Sequence, residues 1–138
     1  MCLKNLFGVL PGIYYGWPKN LLHFRGIERS ILDLARTVKV HYSIIDGVVG
    51  MEGDGPIMGK ARPVGALVLS PFPLAADATA ARLMGFDPRK ILYLAQAGRF
   101  LPGLRPQDVV IRGERPARFA AQFDCPEEFK GMRGGPFF

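Results

Sequence analysis

Apolar residues recur along this chain with two distinct periods, and each period predicts a different element. Between Gly26 and Val40, residues Ile27, Ile31, Leu34 and Val38 return every three to four positions. Arg25, Glu28, Arg29, Asp33 and Arg36 fall mainly on the other side, so the segment reads as an amphipathic helix. His41 to Asp46 reads as a short strand. Val64 to Ser70 is an uninterrupted apolar run that predicts a buried strand, ended by Pro71 and Pro73. Leu74 to Met84 is an alanine-rich helix stopped by Gly85. Pro88 to Ala97 is a further helix, with Pro88 suited to the first turn. Gly98 to Pro106 reads as a turn region, Asp108 to Arg112 as a last short strand, and Met1 to Trp17 as a glycine-punctuated loop. From Gly113 onward the periodicity is lost, and Gly131 to Phe138 reads as a mobile tail.

Helices alternating with short apolar strands predict an α/β fold: a small two- or three-layer sheet with packed helices. Residues 44–46 and 64–69 are expected as neighbouring strands, with helices 27–39 and 74–84 on them. Ile31, Leu34, Ile45, Leu67, Leu69 and Leu83 are expected inside. The strands are few for a covered sheet, so the pattern also predicts an incomplete domain over residues 1–112, followed by an irregular tail over 113–138.

Composition narrows the classes. A chain of 138 residues has the size of one domain, and 49% hydrophobic residues supply a core. The net charge is +6, and the densest basic group, Arg105, Arg112, Arg115 and Arg118, is interrupted by Asp108 and Glu114. A nucleic-acid partner needs a continuous basic face, so none is expected; affinity for small anions fits better. Cys2 and Cys125 form no Cys-x-x-Cys pair, so no iron–sulfur cluster or zinc ribbon is expected in this chain. Two unpaired cysteines fit a reducing compartment. The apolar start, Leu6 to Trp17, carries Pro11 and lacks a small-residue cleavage site, and no run approaches the roughly 20 apolar residues of a membrane span. The expectation is a cytoplasmic protein without a membrane partner.

The densest chemistry lies in residues 46–59, where five glycines and a proline surround Asp46, Glu52 and Asp54. Such a stretch after a strand reads as a ligand loop. Glu52 and Asp54 can hold Mg²⁺ or Ca²⁺, or one of them can move protons with a raised pKa; alternatively Asp54 simply caps a turn. Asp46 stands at a strand end, where α/β sites collect. The loop is not a phosphate-binding P-loop, because Ala61 follows Gly59-Lys60. Lys4 and Asn5 can bind an anionic group or be ordinary surface residues. His23 can be a general base or metal ligand, or cap the helix that follows. His41 reads as structural. Asp77 sits among Ala75, Ala76, Ala78, Ala80 and Ala81, so if buried it needs a partner. Either it faces the glycine loop and shares its ligand, or it is an exposed acid at a helix start.

Three stretches resemble a known family in order and spacing. They are Leu3-Lys4-Asn5-Leu6-Phe7-Gly8 followed by His23, the run from Ile45 through Gly47, Gly50-Met51-Glu52-Gly53 and Gly55-Pro56 to Gly59, and Ala76-Asp77-Ala78 continuing to Leu83-Met84-Gly85. Together they resemble the domain-of-unknown-function 362 family from residue 3 to about residue 98. Many members of that family carry ferredoxin-type cysteine motifs in an added segment, which this chain lacks. The family domain also has an α/β segment before the Lys-Asn motif, so the resemblance implies the C-terminal part of such a domain. Lys4, Pro11-Gly12 and His23 are also similar to the Lys…Pro-Gly…His pattern of nickel-pincer lactate racemases.

Two functions follow as expectations. In the first, an enzyme module binds a small anionic ligand between Lys4, Asn5, His23 and the N–H groups of Gly53, Gly55 and Gly59. There Glu52, Asp77 and His23 handle protons, or Glu52, Asp54 and Asp77 hold a divalent cation. In the second, the chain is a non-catalytic half-domain that forms a homo-oligomer or docks on a redox partner or on a missing N-terminal segment. A pocket joining Glu52, His23 and Asp77 favours the first; an open sheet edge near 64–70 favours the second.

Overall fold

The computed structural model describes residues 1–15 and 21–134. In chain order the elements are α1 (Cys2–Asn5), α2 (Gly12–Tyr15), α3 (Leu21–Phe24), α4 (Ile27–Thr37), β1 (Ser43–Asp54), β2 (Met58–Ser70), α5 (Pro73–Leu83) and α6 (Leu92–Ala97). The fold is a small α/β domain whose sheet, among the described residues, has only these two strands, paired antiparallel.

Helix α5 is the centre. Every residue from Pro73 to Leu83 is buried. Its alanines make this possible: a helix without large side chains lets neighbours approach on all sides. The closest approach comes at Gly103, which has φ +96°. A Cβ there would lie 2.5 Å from the Cβ of Ala75. Only glycine fits that backbone and that gap. On one side α5 meets the β1–β2 hairpin; on the other lie α1 and α6. Leu3, Leu6, Ile31, Leu32, Leu74, Ala81, Leu94 and Ala97 form one apolar cluster there. Helix α4 brings Ile31 and Leu32 into it, but it packs on α1 and α6 rather than on the sheet as expected. Its apolar stripe finds enough covering surface among the helices.

The largest departure from the sequence expectation is the glycine stretch. Residues 46–59 do not form a loop after a strand. Most of them continue β1 to Asp54, and after a turn at residues 55–57 the chain returns as β2. Glu52 pairs with Lys60 and Gly53 with Gly59 in the ladder. Glycines in a strand allow close backbone approach as readily as they allow loops. At Gly50 a Cβ would lie 2.8 Å from the ring of Phe123, so glycine there lets Phe123 pack directly on the strand.

The expected neighbours 44–46 and 64–69 do pair, with Ile44 opposite Leu69 and Asp46 opposite Leu67. Ile31 and Leu83 are buried, and Leu34 and Ile45 are half-buried. Leu67 and Leu69 are not inside: they are 57% and 52% exposed. The run Val64 to Ser70 alternates, so Ala66 and Val68 face α5 while Leu67 and Leu69 face outward. The uniform hydrophobicity of the run hid a strand with only one covered face. The expected strand at 108–112 is absent; a short 3₁₀ turn at Pro106–Asp108 and extended chain stand there.

Residues 113–134 are irregular but packed. Ala121 N–H donates to the Leu83 carbonyl and Phe123 N–H to that of Met84, closing the end of α5. Phe123 is buried, and Arg133 bridges back to Phe86. Phe137 and Phe138 lie outside the described residues.

Leu74→Ala removes a fully buried side chain and is expected to cost about 2–5 kcal/mol. Leu69→Ala, on the outward face, is expected to stay within about 0.5 kcal/mol. Urea denaturation of both variants checks the assignment of faces; equal losses would put Leu69 in the core.

Candidate functional site

Asp77 is the most unusual side chain in the molecule. It is 0% exposed, one turn inside α5, and its partner is the backbone of α1. Oδ1 accepts the Cys2 N–H at 2.6 Å and Oδ2 accepts the Leu3 N–H at 3.1 Å. These are first-turn amides of α1, which no helical carbonyl can satisfy. A carboxylate there also meets the positive end of the helix dipole. Burial nevertheless raises the Asp77 pKa above its usual carboxylate value; the Met1 amino group and the two N–H donors offset part of that shift. Burial, then the Asp77 charge, raises the Cys2 thiol, and the same two causes in the same order raise the Tyr93 phenol. Asp77 is thus a buried carboxyl with two half-buried acids, Cys2 and Tyr93, whose pKa values are raised along with its own.

Beside this group a groove of about 400 Å³ opens between α1 and β1. Cys2, Asn5, Tyr42, Ser43 and Asp46 line it, with apolar walls from Leu6, Val40 and Ile45. The buried Ser43 Oγ lies there against the Cys2 thiol. The polar side chains of Asn5, Ser43 and Asp46 give the groove the means to take a small polar group. It joins two residues singled out in the sequence, Asn5 and Asp46. Asp46 also accepts the Val48 N–H at the strand irregularity between Gly47 and Val49. Cys2 and Ser43 were not legible as site residues, since nothing in their sequence context separates them from ordinary ones.

The other predicted residues go elsewhere. Lys4 is exposed on α1 and does not line the groove. His23 is exposed on α3, and its ring stands 6.1 Å from that of Phe7. Glu52 faces the C-terminal segment: Oε2 accepts the Asp124 N–H at 3.1 Å, and Oε1 lies 3.9 Å from the Arg62 guanidinium. Gly53 N–H donates to the Asp124 carbonyl and Gly55 N–H to that of Gly53, so both amides already have acceptors within the chain. Asp54 closes the hairpin opposite Met58. Glu52 and Asp77 thus have separate partners, and among the described residues no three His, Cys, Asp or Glu side chains gather as a metal-holding group. The Asp77 carboxyl faces the two amides of α1 rather than the glycine stretch.

A family model matches residues 1–82, more than half of the chain. The chain belongs to the family Domain of unknown function (DUF362). The match covers α1 through nearly all of α5, so the Asp77–α1 contact and the hairpin are both DUF362 structure. A curated relative, thylakoid-associated protein sll1697 of Synechocystis sp., is 33% identical over 111 residues. The match takes in 77% of this chain, which spans about a third of the length of that relative. No solved structure matches this DUF362 chain. No helix among the described residues is long and apolar enough to cross a membrane.

A raised Asp77 pKa makes its contribution pH-dependent. The folded pKa lies above the unfolded value of 3.8, so its stabilisation is complete below pH 3.8 and is lost as pH rises through the folded pKa. Unfolding free energies of wild type and Asp77→Asn, measured at pH 3.5 and pH 7, are expected to differ more in favour of wild type at pH 3.5. An unchanged difference would mean that burial does not control this carboxyl.

Proposed function

We propose that this DUF362 chain is an interaction unit whose hairpin completes a larger sheet with a second α/β polypeptide. One observation carries the reading: the outer face of the hairpin, where Asp46 stands among exposed aliphatic side chains, is mostly apolar and is uncovered among the described residues. Ile44 is 64% exposed, and Leu67, Leu69, Val49 and Met51 are exposed with it. Ile44 and Leu69 stand opposite one another, Leu67 follows two residues along, and Met51 extends the surface beyond the irregularity. A sheet face with this many exposed apolar side chains marks a contact surface. Each strand also has one unpaired edge among the described residues, which offers main-chain hydrogen bonds to an added strand.

The partner fits an α/β polypeptide for two reasons. An added strand would satisfy an open edge, and an amphipathic helix would cover the face as α5 covers the other one. The length of the relative outside the match is large enough to hold such elements. The enzyme reading has less support, since Glu52 and Asp77 are engaged separately and the Gly53 and Gly55 amides are taken.

The test mixes the chain with a separately expressed polypeptide carrying the unmatched length of the Synechocystis relative. Hydrogen exchange at residues 64–70 is expected to slow on mixing, and a Leu67→Arg, Leu69→Arg double variant is expected to abolish the effect without changing its circular dichroism. Unchanged exchange sinks the proposal. A tight homodimer of the chain alone that protects the same amides overturns the choice of partner.

A further inference from the structure

A second depression, of about 380 Å³ and open to solvent, lies between β2 and the C-terminal segment. Arg62, Pro63 and Val64 of β2 form one wall, and Arg118, Phe119, Ala120 and Ala121 of the C-terminal segment form the other. The two arginines come from positions far apart in sequence and line one depression because the C-terminal segment folds back over the hairpin. Its anchors are the Ala121 and Phe123 amides on the end of α5, and the exchange between Asp124 and the Glu52–Gly53 stretch of β1.

We propose that this depression binds a small organic oxyanion, a phosphate or carboxylate carried on a compact apolar body. Arginine presents a planar fork of donors that matches such groups. Arg62 has donors to give: its contact with Glu52, at 3.9 Å, is too long for a hydrogen bond. Arg118 is paired with Glu114, and its guanidinium stands 5.9 Å from the centre of the Phe119 ring. Both side chains of that pair are well exposed, so the pair is weak and an oxyanion can compete for the guanidinium. Arg112 and Arg115 lie nearby in sequence, and the net positive charge of the chain favours an anion's approach. Pro63, Val64, Phe119, Ala120 and Ala121 supply an apolar lining for the body of the ligand. The two arginines take no part in the proposed docking face, so either assignment can fail alone.

The experiment titrates the isotope-labelled full chain with phenyl phosphate and, separately, with inorganic phosphate, following backbone amide shifts. Saturable shifts centred on residues 62–64 and 118–121 are expected, with phenyl phosphate bound more tightly because it also fills the apolar wall. Arg62→Gln and Arg118→Gln are each expected to weaken binding about tenfold. Arg118→Lys, which keeps the charge but loses the fork, is expected to weaken it as well. Glu52→Gln, which removes the competing carboxylate and keeps an acceptor for the Asp124 N–H, is expected to tighten it. Shifts scattered over the surface lysines and arginines, equal affinity for the two phosphates, or unchanged binding in the Arg62→Gln, Arg118→Gln double variant would overturn the assignment. The wild-type titration decides the location even if a variant does not fold.

Discussion

Helix α5 has no side that faces solvent, and the other elements are arranged to keep it covered. That constraint explains why the helix is built from alanine, why Gly103 must pass against Ala75, and why an irregular C-terminal segment is held across its end. It also explains Asp77. A carboxyl on such a helix has no route to water, and the energetic cost of burying it is offset only if it finds donors. The first-turn amides of α1 are donors in equal need of an acceptor. Two unsatisfied groups from chain positions 74 or more residues apart therefore fix each other.

The hairpin shows the same logic in the opposite sense. Its inner face is satisfied by α5 and Phe123, and its outer face has no counterpart among the described residues. An isolated two-stranded ribbon is marginal in water, and three strands or a packed helix are needed to hold it. Here α5 supplies the packing on one side only. Ile44, Leu67 and Leu69 lie exposed on that outer face.

Carboxylates in this fold serve the backbone before they serve any ligand. Asp77 holds α1, Glu52 holds the C-terminal segment through the Asp124 amide, and Asp46 accepts the Val48 amide at the strand irregularity. Residues that look like a catalytic set in sequence are dispersed because each closes a different contact. The groove beside α1 and the depression between β2 and the C-terminal segment each draw their walls from distant parts of the chain.

The sequence by itself determined helices α4 and α5, the pairing of 44–46 with 64–69, and the family. Helical spacing marked α4, alanine content and Gly85 bounded α5 to within a residue, and the motifs around Lys4, Glu52 and Asp77 identified DUF362. These are properties of neighbouring residues, and short-range periodicity records them. Tertiary structure decided what the motifs do. Whether five glycines form a loop or a hairpin depends on the strand that returns to pair with them. Whether Leu67 is core or surface depends on which face finds a cover, since an all-apolar run carries no alternation to read. Whether Asp77 meets a ligand or a helix end depends on α1 arriving from the start of the chain. Each outcome is set by partners far away in sequence, and no local pattern encodes a partner's position.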